Sequence, residues 1–218
     1  MRIRDVLGLS VARQRRANRA MQLSLVGFVF VGVYEGSLGV TLNAAIGLGV
    51  TQLPALLERD FDIPMDPALT LWISAAVFLH AFGTLGLPWM TENVYRTVWW
   101  WDHVTHALSS SLVAGAGYAT ARALDEHVHS LDFTPRFLFA FILLLTLAFG
   151  VLWEVLEFGL AGVASILGTE TVLTQYGVSD TMFDLIFDAI GAGLVATLGA
   201  AHLVEVTESI QRRLETRG

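Results

Sequence analysis

Long apolar runs separated by short polar breaks set the pattern of this chain. A helix needs about 20 mostly apolar residues to cross a bilayer. Six such runs can be read, at roughly 21–35, 38–57, 68–88, 99–121, 137–165 and 181–204. The first two run into one another, broken only around Tyr34-Glu35-Gly36, and predict a tight helical hairpin. Residues 2–19 alternate Arg with Val, Leu and Ile, as suits a segment lying along a membrane surface. The first run resembles a signal-peptide core behind its arginines, but it lacks a clear A-x-A cleavage site and is read as a retained helix. Small residues recur at Gly32-x-x-x-Gly36, Ser111-x-x-x-Gly115 and Ala189-x-x-x-Gly193, spacings that permit close helix contact. No linker, internal repeat or low-complexity tract interrupts the pattern. The expected architecture is all-α: a polytopic transmembrane bundle of six helices with both termini cytoplasmic. Its parts are a basic interfacial segment (1–20), the six-helix domain (21–204) and a cytoplasmic tail (205–218).

Composition supports a bilayer as solvent. The chain is 54% hydrophobic and 15% charged, where soluble domains carry roughly 25% charged residues, and its mean hydropathy is +0.60. All 13 basic residues are Arg. With six alternating spans and the N-terminus inside, 12 of the 13 fall on the cytoplasmic side and only Arg96 outside, as the positive-inside rule requires. Trp89 and Trp99-Trp100-Trp101 flank the outer loop as an aromatic belt would. The absence of Cys removes thiol catalysis, disulfides and cysteine-ligated metals. Net charge is −7 without a basic stripe in the body of the chain, so nucleic acid is not an expected partner. Membrane lipids are, in the plasma membrane of a prokaryote.

Ionisable groups inside a bilayer cost about 2.5–3.5 kcal/mol each even on lenient scales, yet the spans hold a set of them. Residues three or four apart share a helix face, which pairs Asp102 with His106, Glu154 with Glu157, and Asp184 with Asp188. Ser109 and Gly191 extend two of these stripes with small side chains. At about 1.5 Å per residue, His106 lies roughly 6–10 Å below the outer end of its span and Asp188 about 12 Å below Asp180. His80 lies about 12 Å below Pro88 by the same rise. Groups from four stretches of sequence thus fall at one depth, in the outer leaflet.

No Arg or Lys sits in the span interiors to offset Asp102, Glu154, Glu157, Asp184 and Asp188. Crowded carboxylates cannot all ionise without protons, protonated His or a bound cation. Carboxylates and His drawn from facing helices are how bundles build metal sites. The expected ligands of a divalent metal ion (Mn, Fe, Zn, Mg or Ca) are therefore Asp102, His106, Glu154, Glu157, Asp184 and Asp188. His103 and Glu157 are candidate catalytic bases. His80, Asp180, Glu35 and Asn43 are candidates to support the ligands from behind, although Glu35 and Asp180 also suit solvated helix ends and His80 a structural role. His127-Val128-His129 is read as loop. Three functions follow from the one set: a metal-dependent enzyme on a lipid, lipid-linked or other small-molecule substrate, a cation- or proton-coupled transporter, and a structural subunit tied by protonated acids. The stretches 112–121 and 192–200 are almost wholly small and apolar, which disfavours a polar path through the inner half.

The string Leu79-His80-Ala81-Phe82-Gly83 with Pro88, Trp101-Asp102 with His106, Glu154-x-x-Glu157, and Thr174-Gln175-x-Gly177 leading into Asp180-x-x-x-Asp184 is similar to the YjdF-like family of predicted bacterial and archaeal membrane proteins. The likeness covers roughly 70–195, and the N-terminal third matches only in hydropathy. A looser likeness links Glu154-x-x-Glu157 and Asp184-x-x-x-Asp188-x-x-Gly191 to VanZ-like proteins, which points toward the cell envelope. The chain departs from the first family at His103, where Arg is usual, and at Thr84-Leu85-Gly86, where a Tyr-Thr-Tyr stretch is usual. The resemblance implies a six-helix membrane protein with these polar positions as its signature, and no particular reaction.

Overall fold

The computed structural model describes residues 10–128, 132–173 and 175–215, so Arg2, Arg4, His129, Thr174 and Arg217 lie outside the described residues. The described chain is helical: α1 (Val11–Glu35), α2 (Leu38–Val50), α3 (Leu53–Phe61), α4 (Pro67–Gly83), the short α5 (Val94–Thr97), α6 (Trp101–His127), α7 (Pro135–Leu167), α8 (Val178–His202) and α9 (Val204–Glu215). Local sequence explains most of the boundaries. Ser10, Ser37, Asp66, Asn93 and Thr134 each cap a helix N-terminus through a side-chain oxygen, with Pro67 and Pro135 opening the first turn behind their caps. Gly36 and Gly168 close α1 and α7 in the left-handed region, at φ +69° and +66°.

Two packed groups result. In one, α1 and α2 form the expected hairpin and lie against α4. Leu25, Ala44 and Ala81 are its buried centre. A Cβ on Gly32 would stand 2.6 Å from the Thr41 backbone nitrogen, so only glycine allows α1 and α2 to approach this closely. In the other group α6, α7 and α8 pack together, with α6 and α8 in the most extensive contact. Their apolar end is centred on Ala114, Tyr118, Ile142, Ala192 and Val195. The two groups are joined by Trp101, whose indole N–H donates to the Leu79 carbonyl at 3.1 Å and whose ring meets Phe82 at 5.4 Å.

Three stretches are long and apolar enough to cross a membrane: Leu38–Phe61, Pro135–Leu167 and Val178–Leu198. The apolar helix α4 is shorter, at 17 residues. Helices α1 and α6 have the length, but α1 carries Arg13, Arg15, Arg16 and Arg19 in its first half, and α6 is rich in Ser, Thr, His and Gly between Asp102 and Arg122. Of the small-residue spacings, Gly191 rather than Gly193 makes the close contact, because Gly193 has nothing within 4 Å. Ser109 is likewise exposed, and its neighbour Ser110 faces Gly191 instead. Gly36 forms a turn rather than a contact. Helix α1 runs unbroken across residue 20. The C-terminal segment forms α9, which returns to pack on α6 with Thr207 and Ser209 buried. Large apolar side chains remain exposed around the outside, among them Phe30, Leu144, Phe158 and Ile166. A surface this apolar suits lipid rather than water.

Candidate functional site

Consecutive antiparallel helices bring the C-terminal end of α4, the start of α6, the second half of α7 and the start of α8 to one end of the molecule. Glycines permit the convergence. A Cβ on Gly191 would collide with the Ala107 carbonyl and the Ser110 hydroxyl, and one on Gly150 with the Asp188 carboxylate. With hydrogen at both positions, α8 sits close on α6 and α7.

Asp102, His106 and Asp184 each bring one ligand atom to within 4.8 Å of the others. The remaining acids surround this group in distinct roles. His106 Nδ1 lies 3.3 Å from Asp188 Oδ1, while its Nε2 lies 3.7 Å from Asp102 Oδ1. With Nδ1–H donated to Asp188, the lone pair on Nε2 faces the Asp102 side, the arrangement by which a carboxylate orients a metal-binding imidazole. His103 Nδ1 lies 3.3 Å from Asp184 Oδ1. Its ring stacks on Phe187, with centroids 4.8 Å apart, which places it behind Asp184.

Glu157 and Glu154 diverge although they share a helix face. Glu157 lines a cavity of about 380 Å³ together with Asp102, His106 and His80, and one of its oxygens accepts the Trp153 indole N–H at 2.9 Å. Glu154 is buried, at 4% exposure. Its Oε2 accepts from Thr181 at 2.7 Å and from Gln175 at 3.4 Å, and its Oε1 has no partner among the described residues.

Asn43 and His80 form a directed chain. Asn43 Nδ2 donates to the carbonyls of Gly39 and Val172, at 2.9 and 2.8 Å. Its Oδ1 is therefore the atom facing His80 Nε2, at 3.1 Å. Since that oxygen only accepts, His80 carries its proton on Nε2, and Nδ1 accepts from the Tyr95 hydroxyl at 2.8 Å. Burial, and next the Asp102 charge, holds the Tyr95 phenol well above its ordinary pKa, which keeps the donor protonated. Gly83 is what seats Tyr95, since a Cβ there would enter the tyrosine ring. The other two supporting candidates are placed differently. Asp180 accepts the Tyr176 backbone N–H at 3.0 Å and shapes the loop before α8, whereas Glu35 is exposed at the end of α1.

Several cavity residues are not among the expected site residues: Tyr95, Arg96 (read only as the one outer arginine), Glu170 and Tyr176 all line it. They lie in connectors, where helical periodicity carries no signal. The Gly83 beside His80 in the α4 motif was the available hint, because a glycine one turn from a histidine leaves room for a ring.

The chain matches the family described as predicted membrane protein (DUF2238) over residues 17–205. It belongs to that family. The match extends the expected coverage of 70–195 into the N-terminal third, so the α1–α2 hairpin is part of the family pattern. An uncharacterized protein of Thermotoga maritima is 33% identical over 195 residues, which cover 85% of this chain and 90% of the relative. No solved structure matches. This is accordingly a membrane protein of an uncharacterised family that has a bacterial relative and a group of side chains suited to a metal ion.

Proposed function

We propose that this protein is a metal-dependent membrane enzyme acting on a lipid or lipid-linked substrate. The reading places its site in the outer leaflet of a prokaryotic plasma membrane, with six spans and both termini inside. The observation that carries it is the convergence of Asp102, His106 and Asp184 beside a cavity, with Asp188 aligning His106 from behind. Two carboxylates and one imidazole suit Mn, Fe or Zn. Such an ion would polarise a substrate oxygen. Glu157 lines the cavity with one oxygen fixed by Trp153, which suits it to take a proton from a substrate hydroxyl or water. His103 supports Asp184, and Glu154 ties α7 to α8 through Thr181.

The test is elemental analysis of the purified protein beside an Asp102→Asn/Asp184→Asn variant. The expected result is a transition metal near one per chain, falling at least tenfold in the variant. No metal in either protein, after reloading with Mn, Fe, Zn and Ca, would sink the reading. The topology is checked separately in this Cys-free chain: a Cys at Glu92 should label from outside, and one at Asp132 only after permeabilisation. A second reading, proton- or cation-coupled transport, has one observation in its favour. The hydroxyls of Ser74 and Thr146 are buried without a partner among the described residues, and Thr146 lies about 12 Å along α7 from Glu154. Proton flux in proteoliposomes, abolished by Asp188→Asn, would favour it.

A further inference from the structure

The segment between α4 and α6 is built as a clip. Val94 is buried and its N–H donates to the Leu85 carbonyl at 3.1 Å. Asn93 caps α5 by accepting the Arg96 N–H at 3.0 Å. The clip delivers two neighbouring side chains to the cavity wall, Tyr95 bound to His80 and Arg96 over the Tyr176 ring with its guanidinium carbon 5.0 Å from the ring centre. Arg96 is the single Arg among the described residues lining that cavity.

Apart from its contact with Tyr176, its one ion pair among the described residues is weak for a purely structural arginine. The pair with Glu92 spans 3.5 Å and both side chains are about half exposed, at 49% and 52%, a class of ion pair that contributes little to stability. A guanidinium stacked on an aromatic face keeps its edge N–H groups in plane, and that fork matches two oxygens of a phosphate. Tyr95 cannot serve the same ligand as a donor, because its proton is directed to His80 Nδ1.

Charge narrows the ligand further. Asp102, Glu157 and Glu170 line the same cavity as Arg96, so a lone anion entering it meets net repulsion. A divalent cation at Asp102, His106 and Asp184 would offset those two carboxylates and supply an electron-pair acceptor for an anion's oxygen, with Arg96 as the positive side chain lining the same cavity. We infer that Arg96 and the metal position together bind a phosphate group, so that the substrate of this site is a phosphate-bearing compound. This inference rests on the metal-site reading above. The phosphate can belong to a lipid headgroup or to a soluble molecule, and the chemistry of recognition is the same.

Equilibrium dialysis of radiolabelled inorganic phosphate against the full-length protein tests it. Wild type, Arg96→Gln and Arg96→Lys are compared with and without Mn2+, with Mn content measured on the same samples. The expected result is Mn-dependent phosphate binding that weakens at least tenfold in Arg96→Gln and less in Arg96→Lys, with Mn content unchanged. Because Arg96 is half exposed, folding is checked by thermal melting. Tyr176→Leu, which removes the stacking face but keeps the charge, should weaken binding by a smaller factor.

Retained Mn with phosphate binding that is absent, or equal in Arg96→Gln, would overturn the inference and leave the metal reading standing. Phosphate bound through Arg96 equally with and without Mn would overturn the joint site, whatever the Mn content. Neither ligand bound, with Fe, Zn and Ca tried in place of Mn, would overturn both. Competition by phosphatidic acid in galactolipid nanodiscs, with plain, phosphate-free galactolipid nanodiscs as control, identifies a lipid phosphate. Phosphate binding indifferent to both discs identifies a soluble one.

Discussion

The two ends of α6, α7 and α8 are built from the same three helices on opposite plans. At one end Ala114, Ile142 and Ala192 are fully buried and meet through small and branched apolar side chains. At the other, about one to three turns away, Glu154, Asp184 and Asp188 are nearly as buried. Small side chains in close contact already hold membrane helices together, and the apolar end demonstrates that this packing is available to these helices. Placing acids inside a bilayer costs about 2.5–3.5 kcal/mol each, a cost that helix association does not require. The difference separates two demands on the same helices, close packing at one end and buried polarity at the other, so stability and site integrity should respond to different mutations.

The sharpest way to break that comparison is to damage each end and read both properties. Ile142→Ala opens a cavity at the apolar end and should cost about 2–4 kcal/mol of stability, measured by unfolding in mixed detergent, while metal content stays at the wild-type value. Next in size is the contrast between two glycines on α8. Gly191→Ala forces α8 away from the Ala107 carbonyl and should cost about 1–3 kcal/mol together with metal. Gly193→Ala meets open space and should leave stability unchanged or raise it by about 0.4–1 kcal/mol. At the polar end, Asp188→Asn should lower metal affinity about 10–100-fold by weakening the support of His106, with almost no change in the unfolding midpoint. The smallest effect belongs to Tyr95→Phe, which deprives His80 Nδ1 of its donor at about 1 kcal/mol and should shift the His80 ring-nitrogen resonance. If Asp188→Asn instead lowered stability as much as Ile142→Ala, the acids would be structural after all.

How much of this was legible in the chain depends on which force placed each residue. The hairpin at Gly36 was legible because a break between two apolar runs is a local signal. So were the faces of Asp102 with His106 and of Asp184 with Asp188, since helical spacing fixes them. Spacing could not show that Glu154 and Glu157, on one face, would turn to different partners, because Thr181 and Trp153 draw them apart. Nor could it choose Ser110 over Ser109, a matter of where α8 rests on α6. Tyr95 and Arg96 were hidden for another reason: their connector is ordered by the Val94 N–H on the Leu85 carbonyl and by the Asn93 cap, and no periodicity marks so short a segment. Helices α1 and α6 fall short of the other spans in hydropathy for different reasons, α1 through its N-terminal arginines and α6 through the Ser, Thr, His and Gly between Asp102 and Arg122.

The turn between α1 and α2 has a consequence for how the chain enters a membrane. Only Gly36 and Ser37 separate the two helices, with Gly36 in a conformation that other residues rarely adopt. No hydrophilic loop stands between them, so the position of one helix fixes that of the other to within two residues. If both enter a bilayer, they are expected to do so as one wedge with Tyr34, Glu35 and Gly36 at its tip. Lengthening that turn would uncouple them.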